Sequence, residues 1–433
     1  MNDRIPEPGE LKPLSQDHLD EISSKHVMFL RGQKGGARAI IQYRNLSYLD
    51  FREGDFSYAD FTGSFLTNTR MENGVFTGAL FFACDLRNAN MRNAILRRTD
   101  LRGAYMSGAD LTRSDLEGAD LREGKIMKSG HNGALEDRKR SGGTGSSTIL
   151  TGAKLTAVNM RKIQAKGADF SDSDLSNATL ERGDFENAKF EHSNLADSNF
   201  TAANLSFASL HGSIISGAIM ERIEKQGIDV TNVVTEREMG KKLEQLGKTL
   251  PELLEDHTLW VSSAGRKGGQ LDLSNYDLRD VIDLRLSPLT AVRATGTNFL
   301  GQDLHEAAMQ SAVFDKSDFR DCNLMDADMR ASSFKYARFS RANLSGAKLN
   351  PLVFENADGT RRLSRSDLSG CMLRYAVIHD ADMRDCILMG ADLSNATLVN
   401  CDLRGADFTG ALLEGITLKD SRLEKATIDL SDV

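Results

Sequence analysis

The sequence is short of several things that would narrow its function. One tryptophan and an aromatic content of 6% leave too few rings to stack along a single-stranded nucleic acid. The charge balance, 54 basic against 62 acidic residues and a net charge of -8, lacks the excess of a general nucleic-acid binder. No run approaches the roughly 18 apolar residues of a membrane-spanning helix. Residues 1–13 are polar, carry Pro6, Pro8 and Pro13, and lack the apolar stretch of a secretory signal. No G-x-x-x-x-G-K-S/T phosphate loop is present. These absences predict a cytoplasmic protein that works without a cofactor, a membrane or direct contact with nucleic acid.

What is present is a period. From Ile41 a large apolar residue falls at every fifth position, through Leu46, Phe51, Phe56 and Phe61 and on to Ile126. Two residues before each stands mostly a small one, such as Ala59, Ser64, Thr69, Ala79 and Cys84; Arg44, Leu49 and Gly54 depart near the start. The pattern is cleanest at residues 109–122, where Ala109-Asp110-Leu111, Ser114-Asp115-Leu116 and Ala119-Asp120-Leu121 follow one another. A period of five fits neither a helix at 3.6 nor a strand at 2. It suits a coil that turns a corner after each five residues, with one large and one small side chain pointing inward on every face. Four faces close a coil after twenty residues, and stacked coils repeat at ~4.8 Å. Phe61 then lies over Phe81, and Phe56 over Phe76.

This array resembles the pentapeptide-repeat family, whose motif is a small residue, Asp or Asn, Leu or Phe, and two free positions. The resemblance implies an all-β solenoid, a right-handed quadrilateral parallel β-helix. The repeat resumes in a shifted register at Leu150 and runs to Met220, with Ala165 at one large position, where a thin or distorted face is expected. A second array opens with Leu273 and Leu278, slips by one residue to Leu284, and continues to Ile428. It contains the ladders Phe299-Phe319-Phe339 and Phe314-Phe334-Phe354.

Each array follows a helical pattern. Ile22, His26, Phe29 and Leu30 match Leu253, His257, Trp260 and Val261 in spacing, and Gly35-Gly36 recurs as Gly268-Gly269. Thr249 and Glu252 read as a capping box with Pro251 early in the helix. The chain is therefore read as two tandem arrays, each preceded by a capping α-helix, from one duplication. A cap is needed because an open first coil exposes unpaired strand edges. The expected divisions are a disordered 1–14; a helix and first array over 15–220, with a loop at 127–149; a helical linker and second capping helix over 221–270; and a second array over 271–433, with a loop at 355–362. Within the linker, Met239, Leu243 and Leu246 share one helical face.

Few residues invite chemistry. Cys84, Cys322, Cys371, Cys386 and Cys401 all occupy the small inward position and read as buried small hydrophobes, not as a disulfide set or metal ligands. His26, Phe29, His257 and Trp260 read as cap packing. The Asp residues before each inward Leu or Phe point outward, as turn hydrogen-bonders or solvated surface and not as paired acid-base groups. An enzyme is not expected. The most functional-looking stretch is the Gly- and Ser-rich loop, flexible by composition, which carries Glu136, Asp137, Arg138, Lys139, Arg140 and Ser141. Long loops on rigid scaffolds are where partner-binding residues concentrate.

Two functions follow. The first is a non-enzymatic protein-interaction scaffold whose partner is another protein. The second comes from the resemblance: some pentapeptide-repeat proteins mimic double-stranded DNA and bind DNA gyrase, protecting it from quinolones. The net negative charge suits this, and residues 355–433 hold 9 basic against 14 acidic residues. Against it, Arg alternates with Asp along the surface, as in Asp120 with Arg122 and Asp402 with Arg404. No capping helix follows Ile428, so the C-terminal end has either a short local cap or a homodimer formed through the last coil.

Overall fold

The structure, a computed structural model, describes residues 11–124, 127–129, 135–137, 147–235, 240–281, 283–355 and 359–428. The chain divides into two compact units, Met1–Glu236 and Arg237–Val433.

Each unit is a wound coil held by parallel bridges between residues twenty apart, such as Ile40 with Asp60, Asn45 with Phe65, Asp50 with Arg70 and Asp55 with Val75. Four bridges per coil, five residues apart, put a corner between each pair of faces. The corner is a tight turn. At Leu111-Thr112-Arg113-Ser114 the Ser114 N–H donates to the Leu111 carbonyl at 2.9 Å, and Arg113 takes φ 57°. Positive φ at the third residue is the signature of a type II turn, which favours Gly or Asn there. Gly103, Gly108 and Gly118 and Asn68, Asn73, Asn88 and Asn93 all occupy it with positive φ. At several corners where a ring stands, the next coil carries glycine. A Cβ on Gly63 would lie 2.4 Å from Tyr43, and one on Gly370 would lie 2.6 Å from Tyr336.

Because the backbone turns so often, little of it is extended. Among the described residues a three-stranded parallel sheet forms where β7 (Val377–His379), β8 (Thr397–Val399) and β9 (Thr417–Lys419) stack in the second unit. Elsewhere among the described coils, single bridged residues do the work of strands.

The core is the stack of inward side chains. Leu111, Leu116 and Leu121 are 0% exposed. Phe61 stacks on Phe81 at 5.0 Å, Phe56 on Phe76 at 5.9 Å, and Phe319 between Phe299 and Phe339 at 4.7 and 4.9 Å. These separations approach the inter-strand spacing of ~4.8 Å, because rings twenty residues apart ride on bridged backbone. Rings on neighbouring faces meet edge-on instead, as Phe76 and Phe81 do at 60°. The Phe314-Phe334 pair stacks at 5.2 Å, but the expected third member does not follow. Phe354 lies in an exposed strand outside the coil, and the Phe334 N–H donates to the Asp367 carbonyl, which places Leu368 next in the ladder.

The face at Ala165 is not thin. Ile163, at the preceding small position, is wholly buried and supplies the missing volume. Val292 does the same for Ala294. Large and small exchange places within one corner, and the interior stays filled.

The units begin alike. In the first, Pro13 bridges Asn45, so the segment expected to be disordered is placed from residue 11. Pro13 lacks an N–H, but Leu14 donates to Asn45 and Asn45 to Lys12. Helix α1 (Gln16–Leu30) follows. In the second, β3 (Lys241–Lys242) bridges β4 (Tyr276–Asp277) in parallel, and a 3-10 turn (Leu243–Leu246) leads to α2 (Leu250–Ser262). The Thr249 N–H and hydroxyl both donate to the Glu252 carboxylate, closing the capping box.

The linker is shorter than its composition implied. Bridges from Asn204 to Glu224, Ser209 to Asp229 and Ile214 to Val234 continue the first coil past Met220, where a helical linker was expected. Ile223, Ile228 and Val233 stand at small positions and pack on the core, while Lys225 and Val230, at large positions, are exposed. The terminal coil has changed its inward residue, which hid it from a search at the old register. The helix expected at residues 236–246 is, in its described part, β3 and the 3-10 turn; Met239 lies outside the described residues.

Exchange of volume at one corner is testable. Ile163→Ala should cost about 2–5 kcal/mol, and Ala165→Leu alone about 1–3 kcal/mol through overpacking. The double variant should recover most of the loss, read from denaturation midpoints. Additive losses would contradict the exchange.

Candidate functional site

The cap histidines are built identically. His26 is 0% exposed; its Nδ1 accepts from the Ala39 N–H at 3.0 Å and its Nε2 faces the Ser57 carbonyl at 3.0 Å. His257 repeats this with the Leu271 N–H at 3.0 Å and the Thr290 carbonyl at 2.8 Å. An Nδ1 that accepts a backbone N–H carries no proton, so both rings are neutral with hydrogen on Nε2. Each ring ties its helix to both ends of the first coil. Phe29 stacks on His26 at 5.9 Å, and Trp260 on His257 at 5.8 Å. The turn that makes this approach possible needs glycine. A Cβ on Gly36 would sit 2.3 Å from the Phe29 nitrogen, and one on Gly268 2.2 Å from the Asp256 carbonyl.

The outer wall is largely self-neutralised. The carboxylate preceding each inward residue accepts the N–H two residues on, as Asp110 does from Thr112 and Asp115 from Glu117, both at 3.0 Å. Where that next residue is Arg, its guanidinium closes a fork on the same carboxylate. Asp382 with Arg384 (2.8 and 2.7 Å) and Asp402 with Arg404 (2.7 and 2.6 Å) are examples. Arg384 also reaches Asp402 on the next coil at 3.8 Å. The Arg404 hydrogen bond holds the Asp402 carboxyl below its ordinary range, and Arg285 holds Asp283 down to about 2. Such exposed pairs contribute only about 0.2–1 kcal/mol each. Their main effect is to leave the wall with few free charges.

The five cysteines are buried and unbridged. Cys84 Sγ donates to the Phe61 carbonyl and Cys401 Sγ to that of Ile378, both at 3.0 Å. Burial pushes the Cys386 thiol up to about 12, which suppresses the reactive thiolate. A cleft of about 710 Å³ in the second unit is lined by Leu243, Leu250, Leu254 and Val281. Its Lys242 is tied to Asp277 at 3.1 Å and Asp280 at 2.5 Å.

Among the described residues each unit carries one excursion that leaves the coil, apart from the one-residue slip between Leu278 and Leu284. The ladder steps from Tyr105 to Ile149 and from Ser333 to Asp367, closing again across each insertion. The first excursion, read as a flexible loop, contains an antiparallel pair, β1 (Met127–Ser129) with β2 (Leu135–Asp137). Glu136 and Asp137 are in β2; Arg138, Lys139, Arg140 and Ser141 lie outside the described residues. The second is a hairpin of β5 (Leu352–Glu355) and β6 (Arg361–Ser364), so the break is wider than the expected 355–362 and takes in Phe354 and Leu363, both assigned to the repeat. The five-residue count masked it because Phe354 falls twenty residues after Phe334. Pro351, at its foot, was the available signal.

Coils with corners every five residues, one large and one small residue inside each, define a β-helix solenoid. The pentapeptide repeats family matches in 8 copies, over residues 42–73, 84–122, 148–187, 184–222, 322–358, 362–390 and 386–424, more than half of the chain. The chain belongs to that family. Among solved structures it is similar to a trypsin-treated form of QnrB1, a plasmid-mediated fluoroquinolone resistance protein, at 18% identity, covering 49% of this chain and 94% of that one, with a TM-score of 0.29. HetL, involved in heterocyst differentiation regulation in Nostoc sp. strain PCC 7120, is 19% identical over 93% of this chain and 94% of its own, with a TM-score of 0.13. A pentapeptide repeat protein from the thylakoid lumen of Arabidopsis thaliana is 28% identical over 28% of this chain and 69% of its own, with a TM-score of 0.19. No curated protein matches the chain.

Burial lowers the His26 pKa below its ordinary value of 6.5. Below that pH the unfolded chain binds a proton that the folded chain refuses, so the His26 contribution to stability is present above 6.5 and is lost as pH falls beneath it. The difference in denaturation midpoint between the native chain and His26→Gln should shrink from pH 7.5 to pH 5.5. A difference independent of pH would contradict the neutral tautomer.

Proposed function

We propose that the chain is a non-enzymatic protein-interaction scaffold. It is built from two right-handed quadrilateral β-helices, each opened by a capping helix and each interrupted by one excursion that makes the specific contacts. The observation that carries this reading is the contrast between wall and excursion. Inward positions are filled by their own side chains and outward carboxylates are engaged by their own turns, so the regular wall offers shape and little chemistry. Pentapeptide repeat proteins are generally structural or interaction proteins, in keeping with this assignment. No helix among the described residues is long and apolar enough to cross a membrane; a cytoplasmic location belongs to the proposal. Affinity purification with the intact chain and with a variant lacking residues 130–147 tests it. Retention of a specific partner by the intact chain is expected, with loss on removal of the loop if that excursion binds it. Retrieval of nothing above a control sinks the scaffold.

One observation favours the second reading, a DNA-mimicking modulator of DNA gyrase. In the second unit Glu306, Asp326, Asp380 and Asp420 are exposed at one corner of the coil, with Gly346 between Asp326 and Asp380 and Asn400 between Asp380 and Asp420. Asp326, Asp380 and Asp420 have no ion-pair partner among the described residues, so this edge carries negative charge that no neighbouring cation offsets. DNA supercoiling by gyrase, with and without a quinolone, decides the matter. Altered supercoiling or relief of inhibition at stoichiometric protein is expected on this reading, weakened by Asp326→Asn/Asp380→Asn/Asp420→Asn. No effect of the native chain removes it.

A further inference from the structure

We infer that the β5–β6 hairpin of the second unit is a docking element for a partner protein whose surface sets carboxylates beside an apolar patch. The inference rests on the scaffold reading and gives it a place and a chemistry. The register pairs Val353 with Leu363, Phe354 with Arg362, and Glu355 with Arg361. Directly opposed residues share a face of an antiparallel pair. One face therefore presents Val353, Leu363, Glu355 and Arg361, and the other presents Phe354 and Arg362. Val353, Phe354 and Leu363 are 59%, 43% and 54% exposed, in a unit whose inward apolar residues are almost wholly buried. At the foot of the second face the opposed Leu352 and Ser364 are half-buried, and the exposed part of the hairpin begins beyond them.

Two features select the occupant. Arg361 and Arg362 have no ion-pair partner among the described residues, whereas wall arginines such as Arg330, Arg384 and Arg404 close onto neighbouring carboxylates. Two guanidinium groups without an ion-pair partner among the described residues thus stand beside exposed apolar side chains of one hairpin. Phe and Arg are also both enriched at protein interfaces relative to the rest of the surface. The first excursion has a comparable plan. Its antiparallel pair β1–β2 adjoins Arg138-Lys139-Arg140 in sequence.

The test uses the full chain, immobilised and exposed to native-cell extract. Beside it stand F354S/L363S, R361E/R362E, the charge-keeping R361K/R362K, and the variant lacking residues 130–147. Proteins retained by the native chain are then purified and titrated individually at low and high salt. The expected result is a protein lost from both the apolar and the charge-reversed variants and kept, more weakly, by the lysine variant. Its affinity should fall by about tenfold or more on charge reversal and should fall with salt. Unchanged denaturation midpoints show that the coil beneath is intact. If the native chain retains proteins but none depends on the hairpin, this inference fails and the scaffold stands. If it retains nothing, both fail. Binding of phosphatidylcholine–phosphatidylserine vesicles with the same dependence on Arg361, Arg362 and Phe354, and no dependent protein, reassigns the hairpin to a membrane surface and overturns the proposal.

Discussion

The corner is the constraint on which the rest of the molecule depends. After each inward Leu, Phe or Met the backbone must reverse direction within two residues, and it does so by placing the second of them at positive φ. An L side chain pays conformational energy for this, of order 1–3 kcal/mol, which is why Gly and Asn recur there. Arg113, Tyr58 and Lys162 show that other residues are accepted when the turn is held from both sides. The small residue's N–H closes the corner, and the inward residue's N–H reaches the next coil, as when Leu111 donates to the Lys154 carbonyl at 2.7 Å. A corner is therefore stable because its neighbours are, and stability is shared along the stack in the manner of repeat proteins.

The same geometry governs charge. A carboxylate one residue before the inward position lies beside the N–H two residues on, and an arginine there forks onto it without leaving its own turn. The wall is rich in charged residues yet nearly neutral in local effect. Two places where charge has no ion-pair partner among the described residues are the Asp326, Asp380 and Asp420 corner and Arg361 and Arg362 of the hairpin. These places lie in the second unit and carry opposite signs. They are the points at which two readings of one fold diverge.

Ends and interruptions follow another logic. A first coil has no coil beneath it, and here a short bridged strand and a helix cover it, with His26 or His257 bonding helix to coil at two backbone groups. A neutral imidazole suits this position because one nitrogen accepts and the other donates, which neither a carboxylate nor an ammonium can do. At the far end of the first unit no further coil constrains the inward residues, and Ile223, Ile228 and Val233 take over from small positions. At the far end of the second, Leu418, Leu423 and Ile428 are only partly buried.

Most of the wall was legible in the sequence because its physics is local. Phe61, Leu111 and Phe319 are inward for reasons contained in their own five residues, and the one-residue slip between Leu278 and Leu284 reappears as the bridge of Asp272 with Arg293. The helices, their matched histidines and the capping box at Thr249 are equally local. What required tertiary structure was whatever depended on the coil above or below. Ile163 compensates Ala165 because the two share one corner volume. Residues 221–235 remain coil although their inward residues move to a different position. Phe354 satisfies the count of twenty and still leaves the wall, because Pro351 and the pairing of β5 with β6 take its backbone elsewhere. Periodicity by itself determined which residues could face inward; bridging between neighbouring coils decided which of them did.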